Sequence, residues 1–170
     1  MQIIYGQMED VSMSARDNAE LIGLIRKQLE LADKLYDAVD RAIEHDVPKI
    51  GRTGNAAVMV AGLIESYYTC LETVYHKISQ YFENHLDSSR WHSELLEKML
   101  LHIDGVRIPA VSDGAYLQLR ELQRFRHFKR YYFELEYDWD RIDYLLKKLR
   151  TVHPLVHKDL NRFIDFLVEL

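Results

Sequence analysis

Between Arg120 and Arg130 the sequence places six basic side chains: Arg120, Arg124, Arg126, His127, Lys129 and Arg130. Cleaving a phosphodiester without a metal ion requires a group that exchanges protons near neutral pH. It also requires fixed positive charge where the phosphate becomes more negative. His127 is of the first kind, and Arg126 and Arg130 beside it are of the second. At about 100° per residue, Phe125, Phe128 and Tyr132 share one side of a helix, the side expected to face a core. Arg126, His127 and Arg130 then fan over the opposite side, and Arg120, Arg124, His127 and Tyr131 form a second line along the same helix. The plainer reading is a basic face turned outward for solubility, partly neutralised by Glu121, Glu134 and Glu136. On that reading His127 is a half-buried histidine bonded to a carbonyl.

The elements that must position this segment are helical. Of 170 residues, 48% are apolar, enough for a core, and only three are proline and seven glycine, a balance that favours helix over strand. Residues 1–15 lack a helical period and read as a loose N-terminal arm. Asp17 and Glu20 have capping-box spacing, and Leu21, Leu24, Ile25, Leu31, Leu35, Val39 and Ile43 continue a helix to about residue 45. Pro48, Gly51 and Gly54 predict a turn over residues 47–55. A second helix over 56–86 is apolar on several sides, as a central position would require. Ser88 or Ser89 caps a short third helix carrying Leu95, Leu96 and Met99. A fourth helix spans 115–137. A fifth starts near 138, and Pro154 is expected to kink or interrupt it. The architecture expected is a single all-α domain over 1–170, an antiparallel bundle of four to five helices.

Charge and composition exclude several classes. A formal net charge of −5 rules out coating of nucleic acid or membrane through overall charge, so any such binding must be focal. No stretch reaches the roughly 18 apolar residues of a membrane span, and the N-terminus lacks a secretory pattern. Cys70 alone cannot build an internal disulfide framework, which places the chain in a reducing cytoplasm. His45, His76, His85, His92, His102, His153 and His157 form no convincing metal set in sequence. His153 and His157 stand four apart, but Pro154 lies between them and no HExxH accompanies them. No metal or other cofactor is expected. Gly51 and Gly54 are not a phosphate loop, because the Lys-Ser or Lys-Thr that should follow is missing. Tyr67, Tyr68 and Tyr75 read as core or dimer seam.

Two segments resemble the HepT-like proteins of the HEPN superfamily, over about residues 56–170. Residues 91–112, WHSELLEKMLLHIDGVRIPAVS, are similar to that family's middle region, a Trp-His pair, a short helix and a Gly-x-Arg-x-Pro loop, here Trp91, His92, Gly105, Arg107 and Pro109. Residues 124–142, RFRHFKRYYFELEYDWDRI, resemble its signature helix. The HEPN signature is an arginine, a polar residue, three to five further residues and a histidine, with a tyrosine two positions later in HepT. Arg126 matches the arginine and His127 the polar position. The expected histidine falls on Tyr131 and the expected tyrosine on Phe133. A tyrosine, with an unperturbed pKa of about 10, can donate a proton but is a poor base at neutral pH. In the family that last tyrosine is where a minimal nucleotidyltransferase partner attaches AMP, and Phe133 has no hydroxyl to accept it. Two arrangements keep His127 as the proton carrier. The signature can be read from Arg120 in a shifted register, or two copies of the helix can meet across a homodimer.

The resemblance implies a HEPN fold and a metal-independent endoribonuclease toxin of a toxin–antitoxin pair, acting on tRNA or mRNA, with a nucleotidyltransferase as antitoxin. The residues expected to carry catalysis are Arg126, His127, Arg130 and Tyr131. Arg120, Arg124 and Lys129 would bind RNA, and Trp91, His92, Tyr132 and Phe133 would border the cleft. The rival reading is a catalytically inactive HEPN module that binds nucleotide, RNA or the nucleotidyltransferase partner, and the departures at Tyr131 and Phe133 favour it.

Overall fold

Helical periodicity, with few residues that break it, gives six α-helices among the described residues. The computed structural model describes the backbone of residues 2–83, 91–132 and 137–170, and the side chains of residues 16–82, 94–129 and 137–170. The helices are α1 (Gln2–Arg41), α2 (Val47–Ile50), α3 (Gly54–Glu83), α4 (Trp91–Met99), α5 (Asp113–Tyr132) and α6 (Trp139–Glu169), with a π-helical turn, Ala42–Asp46, after α1. They pack antiparallel, as expected, and no strand occurs among the described residues. The proposed caps Ser88 and Ser89 and the end of the expected fourth helix, residues 133–136, lie outside the described residues.

The first helix differs from the expectation at its start. Asp17 and Glu20 lie inside α1, not at its N-terminus, and the helix continues back to Gln2. A capping box records only a local preference, and here the neighbouring Asn18 has tertiary partners: it accepts from the Tyr81 hydroxyl and donates to the Leu167 carbonyl at 3.4 Å. The buried seam of α1 is Leu21, Ile25, Leu29, Ala32 and Val39, while Leu31, off that line, is 43% exposed.

α3 occupies the centre and touches α1, α4, α5 and α6. Burial on most sides accounts for its apolar character: Val60, Ile64, Tyr67, Tyr68, Leu71, Val74, Tyr75 and Ile78 are buried, and Ser66, Thr73, Lys77 and Gln80 form an exposed stripe. The three tyrosines therefore belong to the core. The turn before α3 uses Gly51 at φ +80°, a left-handed backbone that glycine adopts without strain. Thr53 Oγ1 then accepts from the Ala56 amide at 3.2 Å, capping the helix.

Two devices fix α5, the helix with the basic run. Behind α4, a tight loop brings Ile103 and Arg107 into an isolated bridge, with Gly105 at φ +70° between them. Arg107 is 1% exposed and donates to the Lys98 and Leu101 carbonyls at 2.8 and 3.1 Å, closing the C-terminal end of α4. At the start of α5, Ser112 Oγ accepts from the Ala115 amide at 3.4 Å. Both the amide and the hydroxyl of Ser112 donate to Asp159 Oδ2 at 2.7 Å, and Asp159 is buried on α6. The polar cap of one helix is thus a strut to the next. Pro154 lies within α6 and does not interrupt it. Its ring is exposed, so the missing amide leaves the Arg150 carbonyl on a side that water reaches.

Candidate functional site

The basic residues of α5 divide between two neighbours and solvent. Phe125 is buried against Tyr137, with ring centroids 5.9 Å apart, and Arg141 of α6 lies over the Phe125 and Phe128 rings at 5.7 and 4.4 Å. Those two phenylalanines therefore face α6, in line with the expected core side. Arg126 does not fan outward with His127, as the single-stripe helical wheel predicts. Its side chain is 13% exposed and lies on α3: Nε donates to Thr69 Oγ1 at 2.9 Å, Nη1 to Glu72 Oε1 at 3.2 Å, and Nη2 sits 2.8 Å from Glu72 Oε2. One turn on, Lys129 pairs with Glu65. A helix wedged between two others buries two stripes, and long basic side chains can lay their stems along the second while their heads find carboxylates.

The paired residues ascend along α5 as they descend along α3, Arg126 with Glu72 and Lys129 with Glu65, which suits antiparallel neighbours. Burial first, and then the Glu72 carboxylate, push the hydroxyl of the adjacent Tyr68 up from its usual range, so it is a fixed neutral group. Glu65 and Glu72 were missed at the level of sequence. The available signal was two acidic residues seven apart, and so on one face, inside a helix apolar on several sides, where a buried or half-buried carboxylate calls for a cation.

His127, by contrast, is exposed on α5 as expected. Arg120 is exposed with its guanidinium 5.9 Å from the Tyr116 ring centroid, and Arg124 pairs with Glu121 at 2.8 Å. Tyr144 of α6 also donates to Glu121, at 3.2 Å. The structure therefore brings His127, Arg120 and Arg124 to the surface and Arg126 and Lys129 onto α3. The side chains of Trp91, His92, Arg130, Tyr131 and Tyr132, and the whole of Phe133, lie outside the described residues.

A second constellation forms where α1, α3 and α6 meet. His153 and His157, one helical turn apart despite Pro154, both point their Nε2 atoms at Asp33 Oδ1 of α1, at 3.2 and 2.6 Å. Tyr36 of α1 stacks on the His153 ring, with centroids 4.0 Å apart and planes within 10°. Nδ1 of His153 lies 3.0 Å from the Tyr67 hydroxyl of α3. Burial chiefly, and then His157, lower the pKa of His153 against the opposing pull of Asp33, Asp37 and Asp40. Its neutral form with the proton on Nε2 donates to Asp33 and accepts from Tyr67. Burial also raises Tyr67, keeping its proton in place. No local pattern could reveal Asp33 as the third member, since it lies 124 residues from His157.

Nearby, Cys70 is buried, its thiol donating toward Gln28. Burial pushes that thiol up to about 11, which makes it unreactive near neutral pH.

No curated protein and no solved structure matched the chain. A family model described as HepT-like protein does match, over residues 59–167. That span runs from α3 through α6 and contains both the Arg107 loop and the whole basic segment of α5. With most of its length aligned to that model in an antiparallel all-α fold, the chain belongs to the HepT-like family, toxin domains of the HEPN superfamily.

Proposed function

We propose that this protein is the ribonuclease toxin of a toxin–antitoxin pair, a cytoplasmic homodimer cleaving tRNA or mRNA without a metal ion at the reacting phosphate. Family membership supports the reading, since HepT-like proteins are typically ribonuclease toxins. The observation that carries it is an exposed His127 one residue from a guanidinium held rigidly by Glu72 and Thr69. A ribose 2′-hydroxyl would attack its own phosphate, with His127 taking the proton and Arg126 and Arg130 stabilising the charge that develops. Arg120 and Arg124 would hold the RNA backbone, and Tyr131 can donate a proton to the leaving oxygen. A nucleotidyltransferase antitoxin acting through AMP transfer would need a hydroxyl other than one at Phe133.

A second reading rests on the same ion pair. Glu72 neutralises much of the Arg126 charge and leaves the side chain only 13% exposed, an arrangement suited to a noncatalytic module that binds RNA, nucleotide or the nucleotidyltransferase. Cleavage of tRNA and total RNA by purified protein in EDTA separates the two. His127 is exposed, so His127→Ala, with its folding checked by circular dichroism, reports on chemistry. We expect it to lower the cleavage rate by about 100-fold or more. Intact RNA with the parent protein, under conditions where it is folded and binds RNA, would establish the noncatalytic reading instead.

A further inference from the structure

Asp33, His153 and His157 each offer a ligand-type atom, and these atoms lie within 4.8 Å of one another. We propose that they form a binding site for one divalent transition-metal ion of zinc's class, which staples the first helix of the bundle to the last. Two imidazoles and one carboxylate are a ligand set zinc takes readily, with a fourth position left for water. Two atoms each about 2.0–2.1 Å from a tetrahedral zinc are about 3.3 Å apart. The 3.2 Å between His153 Nε2 and Asp33 Oδ1 already meets this, and the 2.6 Å to His157 Nε2 needs only a small opening. Asp33 is the group with room to give it, its side chain being 47% exposed, against 17% for His153 and 31% for His157.

The surroundings are those of a prepared ligand. A metal-bound histidine almost always has its other ring nitrogen engaged, which fixes tautomer and orientation. His153 has that partner in the Tyr67 hydroxyl, and Tyr36 holds the ring plane by stacking. On metal binding, the His153 proton moves from Nε2 to Nδ1, which then donates to the Tyr67 oxygen, so the ring stays neutral and both nitrogens remain satisfied. The site belongs to α1 and α6 and uses none of the basic residues of α5, so the ion acts on the fold and not on RNA.

The test uses full-length, untagged protein stripped with chelator and titrated with zinc, and separately with cobalt as a spectroscopic probe. We expect one ion per chain and visible cobalt bands of a low-symmetry site. At about hundred-fold excess over Kd, zinc should raise the unfolding midpoint by roughly 5–10 °C. Asp33→Asn and His157→Gln keep the polar shape of the partly exposed site and should remain folded by circular dichroism while weakening zinc binding at least about 100-fold. Tyr67→Phe should weaken it about 10-fold with the stoichiometry unchanged. His45→Gln, at an exposed histidine on the π turn, should bind as the parent does. Absence of saturable binding in the parent, or equal affinity in the folded Asp33→Asn and His157→Gln proteins, overturns the proposal and leaves the cluster as a hydrogen-bonded tie. These readouts do not depend on whether the protein cleaves RNA.

Discussion

Arg126 shows how one side chain can belong to both the fold and the site. Its guanidinium and the Glu72 carboxylate are 13% and 8% exposed, so each depends on the other for the solvation it gave up. Removing the Glu72 charge leaves the half-buried guanidinium without its counter-charge, although Thr69 Oγ1 still accepts from Nε. Glu72→Gln should therefore cost about 3 kcal/mol, lowering the thermal midpoint by roughly 6–12 °C. Glu65→Gln removes the partner of Lys129 at a more open position, with side chains 27% and 21% exposed, and should cost about 1 kcal/mol. Parallel thermal melts check the ranking, and equal costs would show that Arg126 is solvated without Glu72. The same reasoning makes loss of RNA cleavage in an Arg126 variant ambiguous between chemistry and folding, and makes His127 the cleaner probe.

At the scale of elements, α5 is held from both ends of its preceding loop. Arg107 bridges two carbonyls at the end of α4, and Ser112 ties the start of α5 to Asp159 on α6. The Gly-x-Arg-x-Pro loop is thus a structural clamp, its arginine buried and its proline carbonyl accepting from Arg162 at 3.0 Å. Arg107→Lys should destabilise the protein by about 2 kcal/mol, because an ammonium cannot reproduce the planar two-carbonyl grip. Gly105→Ala should cost about 1 kcal/mol even though the space beside it is open, since the cost lies in the left-handed backbone at φ +70°. Urea denaturation measures both. A neutral Gly105→Ala would mean that the loop relaxes to a right-handed turn.

For the whole molecule, net charge −5 sets a weak or repulsive background for RNA, and attraction has to come from the face of α5. Six basic side chains in that segment overstate the attraction, because Arg126 and Lys129 are neutralised on α3. Of the described cations on α5, Arg120 and the exposed Arg124 are placed to meet phosphates, so the part of the slope of log K against log salt that they contribute for a single-stranded RNA should be about −1.4. A slope near about −3 would mean that the pairs with Glu65 and Glu72 open on binding. Fluorescence anisotropy across a salt series measures it. Packing at this scale also explains α1, all of which precedes the span matched to the family. Its seam from Leu21 to Val39 covers α3 and α6, and those apolar faces would otherwise be open to water.

The sequence by itself determined the all-α class, the central parts of the long helices and the family, because periodicity, breakers and the motif around Arg107 and Arg126 are local patterns carried by neighbouring residues; it did not find α2 inside the turn expected over 47–55. It also set Phe125 on the core side of a helical wheel, while for His127 it left both an exposed and a half-buried position open. Only the tertiary structure decided where Arg126 goes, that α1 runs through Asp17, that Pro154 leaves α6 whole, and that Asp33 meets His153 and His157. The physical reason is common to all four. A wheel or a cap describes a helix alone in water, whereas the second buried stripe of α5, the anchoring of Asn18, the exposed side chosen for Pro154 and the meeting of α1 with α6 are set by neighbours distant in sequence.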